Sequence, residues 1–131
     1  MSADYNLKFA ELNVEVVDTW RRHPNTQSGN YHYWLYFAEN RIGGDTDDEY
    51  PVDQKDMGEL IDSINSVIGS GGITAGSRPM DYYQYNKLEV FDTDNRNIAT
   101  YEWYSNDEED DPSQINRRFY GAIKNVVKYW H

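Results

Sequence analysis

Apolar positions along the chain recur with two different periods, and each change of period marks a predicted element. Over 7–20, Leu12, Val14 and Val16 alternate with Glu11, Asn13 and Glu15, which predicts a strand with one apolar face. Leu7 and Phe9 fall on the opposite parity, so a bulge near Ala10 is expected. Turn-forming residues follow, among them Pro24, Asn25, Gly29 and Asn30. The stretch 31–38, Tyr-His-Tyr-Trp-Leu-Tyr-Phe-Ala, carries strand-favouring aromatics on both parities. It predicts a central strand in a hairpin with the first.

The period then shifts. Residues 40–51 read as a polar, acidic loop containing Gly43 and Gly44. Asp53 is placed to cap a helix, with Asp56 and Glu59 near the positive end of its dipole. Met57, Leu60, Ile61, Ile64, Val67 and Ile68 recur at three- and four-residue spacing, an amphipathic helical stripe that Gly69 should end. Residues 69–80, with Gly69, Gly71, Gly72 and Gly76, read as a mobile linker.

The second half repeats this plan. A strand is predicted over 82–91 with Leu88 and Val90 on one face, then a turn at 92–95. Over 98–104, Ala99, Tyr101 and Trp103 alternate with Ile98, Thr100 and Glu102. After a second acidic loop, Asp111 can cap a helix, Pro112 suits its first position and Gln114 can reach back. Ile115, Phe119, Ala122, Ile123, Val126, Val127 and Trp130 form its apolar stripe. The expected fold is α+β, a four-stranded antiparallel sheet with two helices packed on one face, in the order ββαββα. One domain should span 1–131, as a hairpin-helix unit over 5–69, a linker over 69–80 and a second unit over 81–131.

Charge changes this picture from a generic fold to a functional lead. Of the 131 residues 27% are charged, and the formal net charge is −11. One acidic block holds Asp45, Asp47, Asp48, Glu49, Asp53, Asp56, Glu59 and Asp62 against Lys55 alone. Another holds Glu102, Asp107, Glu108, Glu109, Asp110 and Asp111 with no base. Arg117, Arg118, Lys124 and Lys128 follow, without a further acid. Such a balance opposes direct binding to nucleic acid or to an anionic membrane surface. The chain is nevertheless too rich in aromatics for an acidic disordered segment, with twelve Tyr, four Trp and four Phe.

Catalytic chemistry finds little support. There is no cysteine, so no thiolate nucleophile, disulfide or thiolate metal site is available. The acids at 45–49 follow Gly43 and Gly44 rather than surrounding a glycine turn. The twelfth position from Asp45 is Asp56 and not Glu, so a calcium loop is not expected. His23, His32 and His131 are isolated from one another, and no Gly-x-Ser-x-Gly elbow is present. The glycines at 69–72 follow a helix and lack the Gly-Lys-Ser/Thr ending of a phosphate loop. No catalytic residue, cofactor or metal is therefore assigned. No signal peptide or membrane span is read, and a cytoplasmic location is the expectation.

The sequence thus points to a small non-enzymatic protein that binds and inhibits a basic protein surface, that of a nuclease or another nucleic-acid-binding effector. Phage anti-defence or anti-CRISPR-like inhibitors, DNA mimics and nuclease-toxin immunity proteins are of this type. It would act as a monomer or dimer, with no direct nucleic acid and no membrane. Asp45, Asp47, Asp48, Glu49, Asp107, Glu108, Glu109 and Asp110 would imitate phosphates, and Tyr82, Tyr83 and Tyr104 would supply anchoring rings. Reversing Asp107, Glu108 and Asp110 to Lys is expected to abolish binding and leave the fold intact. One rival is an enzyme or ligand-binding domain with a pocket near His32 and the glycine-rich linker. Another is a structural or oligomeric phage-type subunit.

Overall fold

The computed structural model describes residues 6–18, 29–44, 48–73 and 82–128. Strands β1 (Leu7–Asp18), β2 (Gly29–Tyr36), β3 (Arg41–Gly43), β4 (Glu49–Pro51), β5 (Tyr82–Asp92) and β6 (Asn97–Tyr104) form one sheet. Its order is β4-β3-β2-β1-β5-β6, and every neighbouring pair is antiparallel. Helix α1 (Gln54–Gly69) separates β4 from β5, and α2 (Ser105–Asp110) and α3 (Gln114–Val127) follow β6. The sheet has six strands where four were expected. The extra pair is the short hairpin β3–β4, inside the segment read as an acidic loop.

Why that hairpin escaped the sequence is physical. Each of its strands has three residues, too short for a period of two to register. Its stability comes from the tertiary fold, because Ile42 lies opposite Leu35 of β2 and both are fully buried. Val52 is buried just beyond, with its backbone N–H donating to the Asn40 carbonyl at 2.8 Å.

Alternation along the strands sorts the side chains. Ala10, Leu12, Val14 and Val16 of β1, Leu35 of β2, Leu88 and Val90 of β5, and Tyr101 and Trp103 of β6 share one parity. They join Met57, Leu60, Ile64 and Val67 of α1 and Phe119, Ala122, Ile123 and Val126 of α3 in one hydrophobic cluster. At roughly 1.5–3 kcal/mol per buried apolar side chain, each helix stripe supplies ample force to hold its helix there. The expected bulge is present, two residues before Ala10. The register shifts between Leu7 and Phe9, which turns Leu7 onto the core and leaves Phe9 stacked on Phe91 with ring centroids 4.6 Å apart.

The helix ends follow their local chemistry, with two corrections. Asp53 caps α1 by accepting from the Lys55 backbone N–H at 2.8 Å. The cap of α3 is Ser113 and not Asp111, since the Ser113 hydroxyl accepts from the Asn116 N–H and the helix starts at Gln114. Pro112 accordingly precedes α3 rather than opening it. At its other end α1 closes on Gly69, as its position implied, and Gly71 and Gly72 take positive φ beyond it. A Cβ on Gly72 would sit 3.2 Å from Tyr101 Cε1 at a φ of +91°. Gly72→Ala should therefore lower stability by more than about 1 kcal/mol in urea unfolding, and an unchanged midpoint would contradict the account. Trp130 lies outside the described residues, and so does the linker beyond Ile73.

Candidate functional site

The opposite parity carries a different chemistry. In the centre of the sheet Glu11 of β1 lies directly across from Glu89 of β5, and Glu15 lies across from Tyr85. Glu102 of β6 is opposite Lys87, and Tyr104 is opposite Tyr85. On the β2 side, Trp34 is paired with Glu11 and His32 with Asn13. Phe9, Trp34 and Phe91 form a ring group at one end of this face, and Tyr83, Tyr85 and Tyr104 form another. None of these side chains belongs to the hydrophobic cluster, and apart from Tyr83 they are half-buried or exposed.

Acids and rings are joined by hydrogen bonds. The Tyr83 hydroxyl donates to Glu15 at 3.1 Å, and the Tyr85 hydroxyl donates to Glu102. Burial, that hydrogen bond and the Glu102 charge together push the Tyr85 hydroxyl well above its ordinary value, so it stays a donor. Lys87 and the His32 imidazole stand among these carboxylates. Lys87 lies 3.9 Å from Glu89, and His32 Nε2 lies 3.8 Å from Glu11. Between the strands sits a depression of about 410 Å³, lined by Asn13, Glu15, His32, Tyr85, Lys87 and Glu89 among others.

The acids chosen from sequence are placed otherwise. Asp45 and Asp47 lie outside the described residues, and the Tyr82 side chain does too. Asp48 is exposed between β3 and β4, and Glu49 pairs with Arg41 at 3.1 Å. Asp107, Glu108, Glu109 and Asp110 form α2, a helix and not the expected loop. Because β4 and β6 are opposite edges of the sheet, five strand spacings of about 4.8 Å put Glu49 on the order of 24 Å from the β6 edge that α2 follows.

Several of these acids are also occupied with the fold. Asp107 accepts from the Tyr104 backbone N–H at 2.8 Å. Glu108 accepts from the Trp103 indole at 2.9 Å and from Lys124 through its other oxygen. Reversing Asp107 and Glu108 would therefore disturb the structure, which corrects the expectation of an intact fold. Glu109 and Asp110 are exposed and can be reversed without that cost. From the other block, Glu59 pairs with Arg118 of α3, and the guanidinium bond holds its carboxyl below the ordinary value.

Asp111 has the most internal role. It accepts from the Ser113 N–H, the Asn116 amide and the Tyr120 hydroxyl, each at 2.9 Å. Burial alone would raise its carboxyl, but those bonds and the Arg117 charge outweigh it and hold the group below its usual value. The Tyr120 hydroxyl is pushed up, by burial first and then by Asp111. The acid's contribution to stability is complete above about pH 3.9 and is lost as pH falls through its folded value. The tyrosine's is complete below about pH 10 and is lost as pH rises beyond it. Tyr120→Phe should thus shift acid unfolding to higher pH and soften the alkaline loss, as read from urea midpoints against pH. An unchanged acid limb would remove Tyr120 from this role.

His32 and the described glycines are not brought together. Gly72 packs against Tyr101 on the core side, whereas His32 stands beside Trp34 on the opposite face, with ring centroids 4.7 Å apart. Among the described residues no group of three or more His, Asp or Glu could hold a metal ion, and no helix is long and apolar enough to cross a membrane. The chain matches no protein-family model, no curated protein and no solved structure.

Sequence reasoning missed Glu11, Glu15 and Glu89 as site residues. Their signal was present as the polar parity of two strands, but only the pairing of β1 with β5 shows that they share one patch.

Proposed function

We propose that the chain is a non-enzymatic binding protein whose acidic, aromatic sheet face docks on a basic, nucleic-acid-handling protein and inhibits it. The observation that carries this reading is the placement of Glu11 opposite Glu89, with Glu15 and Glu102 on the same face, among half-buried rings. Four carboxylates on one face of the sheet, with Lys87 the one Lys or Arg described among them, would attract a partner that supplies further cations. Rings next to carboxylates suit Arg in particular. A guanidinium can pair with a carboxylate through two hydrogen bonds and stack on an aromatic face. The depression between Glu15, Tyr85 and Glu89 offers such a group a place to enter.

A protein surface that grips nucleic acid is rich in those cations. Occupying it would block the substrate, as phage inhibitors of bacterial defence and immunity proteins for nuclease toxins do. The contact is placed on the sheet face rather than on α2, because Asp107 and Glu108 are engaged within the fold.

The test is affinity capture from a bacterial lysate at low and high salt, followed by a nuclease or nucleic-acid-binding assay on the captured protein. A basic nucleic-acid-handling protein should be retained at low salt, released at high salt and inhibited when bound. Capture that is insensitive to salt, or a captured protein whose activity is unaffected, would overturn the proposal.

A further inference from the structure

The inward parity of β5 starts apolar, with Val90 and Leu88, and then turns polar at Asn86 and Gln84. Asn86 lies between Val14 and Trp103 on the core side and is only 4% exposed. Its Oδ1 accepts from the Gln84 amide at 3.2 Å, but its Nδ2 has no hydrogen-bond partner among the described residues. A buried donor left unpaired is uncommon, because its desolvation is uncompensated. Leu at this position would avoid that cost.

Asn86 lines a cavity of about 480 Å³ between the sheet and α3. Its walls combine apolar side chains such as Leu12, Val14, Trp103 and Ile123 with polar ones at its rim, Glu108 and Lys124 among them. That volume falls within the range of small-molecule sites, and an apolar enclosure with a few convergent polar groups is their usual make-up.

We propose that this cavity is a binding site for a small uncharged molecule, with an apolar body and a carbonyl oxygen that accepts from Asn86 Nδ2. Charge selects the neutral class. The Glu108 carboxylate stands in the wall, held by the Trp103 indole and Lys124, and Lys128 at the same site lies 3.9 Å from Asp56. A ligand carboxylate would be desolvated against a neutral amide and beside Glu108, whereas a ketone or amide oxygen meets neither penalty. The site lies on the core side of the sheet, so it stands or falls independently of the acidic face.

Acetophenone, ethylbenzene and benzoate probe it, being alike in size and differing in the acceptor and in charge. Proton–nitrogen correlation spectra of the full chain would follow the Asn86 side-chain amide and the Trp103 indole. Acetophenone should shift both saturably, with the Asn86 amide protons moving downfield, and benzoate should bind more weakly. In Asn86→Leu, the preference for acetophenone over ethylbenzene should fall by about tenfold. Three results would overturn the proposal: no saturable shift at Asn86 up to the solubility limit of acetophenone, stronger binding of benzoate, or an unchanged preference in the variant. The wild-type amide shift decides the matter even where Asn86→Leu folds poorly.

Discussion

Trp103→Ala should lower the unfolding free energy by about 3–5 kcal/mol, the largest effect of any single truncation expected here. Trp103 is 1% exposed, and its indole meets Phe119 edge-on with centroids 5.4 Å apart and Tyr120 at 5.5 Å. Removing it deletes most of the contact between β6 and α3 at that level. The void would open into the cavity that Trp103 already lines, so the neighbouring side chains have little to collapse onto. It would also deprive Glu108, whose side chain is 13% exposed, of the indole N–H. Trp103→Phe separates these contributions, keeping a ring while removing the donor, and should cost about 1–3 kcal/mol. Urea unfolding of both variants checks the pair. A loss below about 1 kcal/mol in the alanine variant would mean that the packing described here does not hold the helix.

The second large effect concerns binding. Replacing Glu11, Glu15, Glu89 and Glu102 by Gln should weaken association with the basic partner by at least about tenfold at low salt, mainly through the rate of encounter. Stability should stay within about 1 kcal/mol, because Gln can still accept from Tyr83 and Tyr85. A variant that is no less stable and yet binds poorly marks residues whose purpose lies outside the fold. The comparison is Glu109→Lys with Asp110→Lys on α2, where both side chains are exposed. If that pair abolishes binding while the four-Gln variant binds normally, the contact lies at the β6 edge and the sheet-face proposal fails.

Much of the architecture was legible because each strong local signal matched its tertiary setting. The stripe of Met57, Leu60, Ile64 and Val67 is fully buried, as its helical spacing implied. The alternation at Leu12, Val14 and Val16 gave the inward parity of β1, and the parity conflict at Leu7 and Phe9 gave its bulge. Weak or ambiguous signals failed for identifiable reasons. In the final helix Ile115 fits the stripe but is 41% exposed, whereas Tyr120, absent from the stripe, is buried because Asp111 accepts its hydroxyl. Asp107 looked like one acid among several in a loop. Only the fold shows it accepting the Tyr104 N–H.

By itself the sequence determined the four long strands, the apolar face of β1 and β5, the two long helices and an acidic, aromatic-rich character without thiol chemistry. These are local properties, set by side-chain period, capping residues and composition, and they need no knowledge of which strand lies beside which. The tertiary structure alone decided that β1 pairs with β5, that a short hairpin extends the sheet beyond β2, and that Glu49 and α2 stand toward opposite edges. It also decided that Glu11 faces Glu89 and that Asn86 is buried beside a cavity. Those facts arise from contacts between residues far apart along the chain, where strand order and register, rather than any local pattern, set which side chains meet.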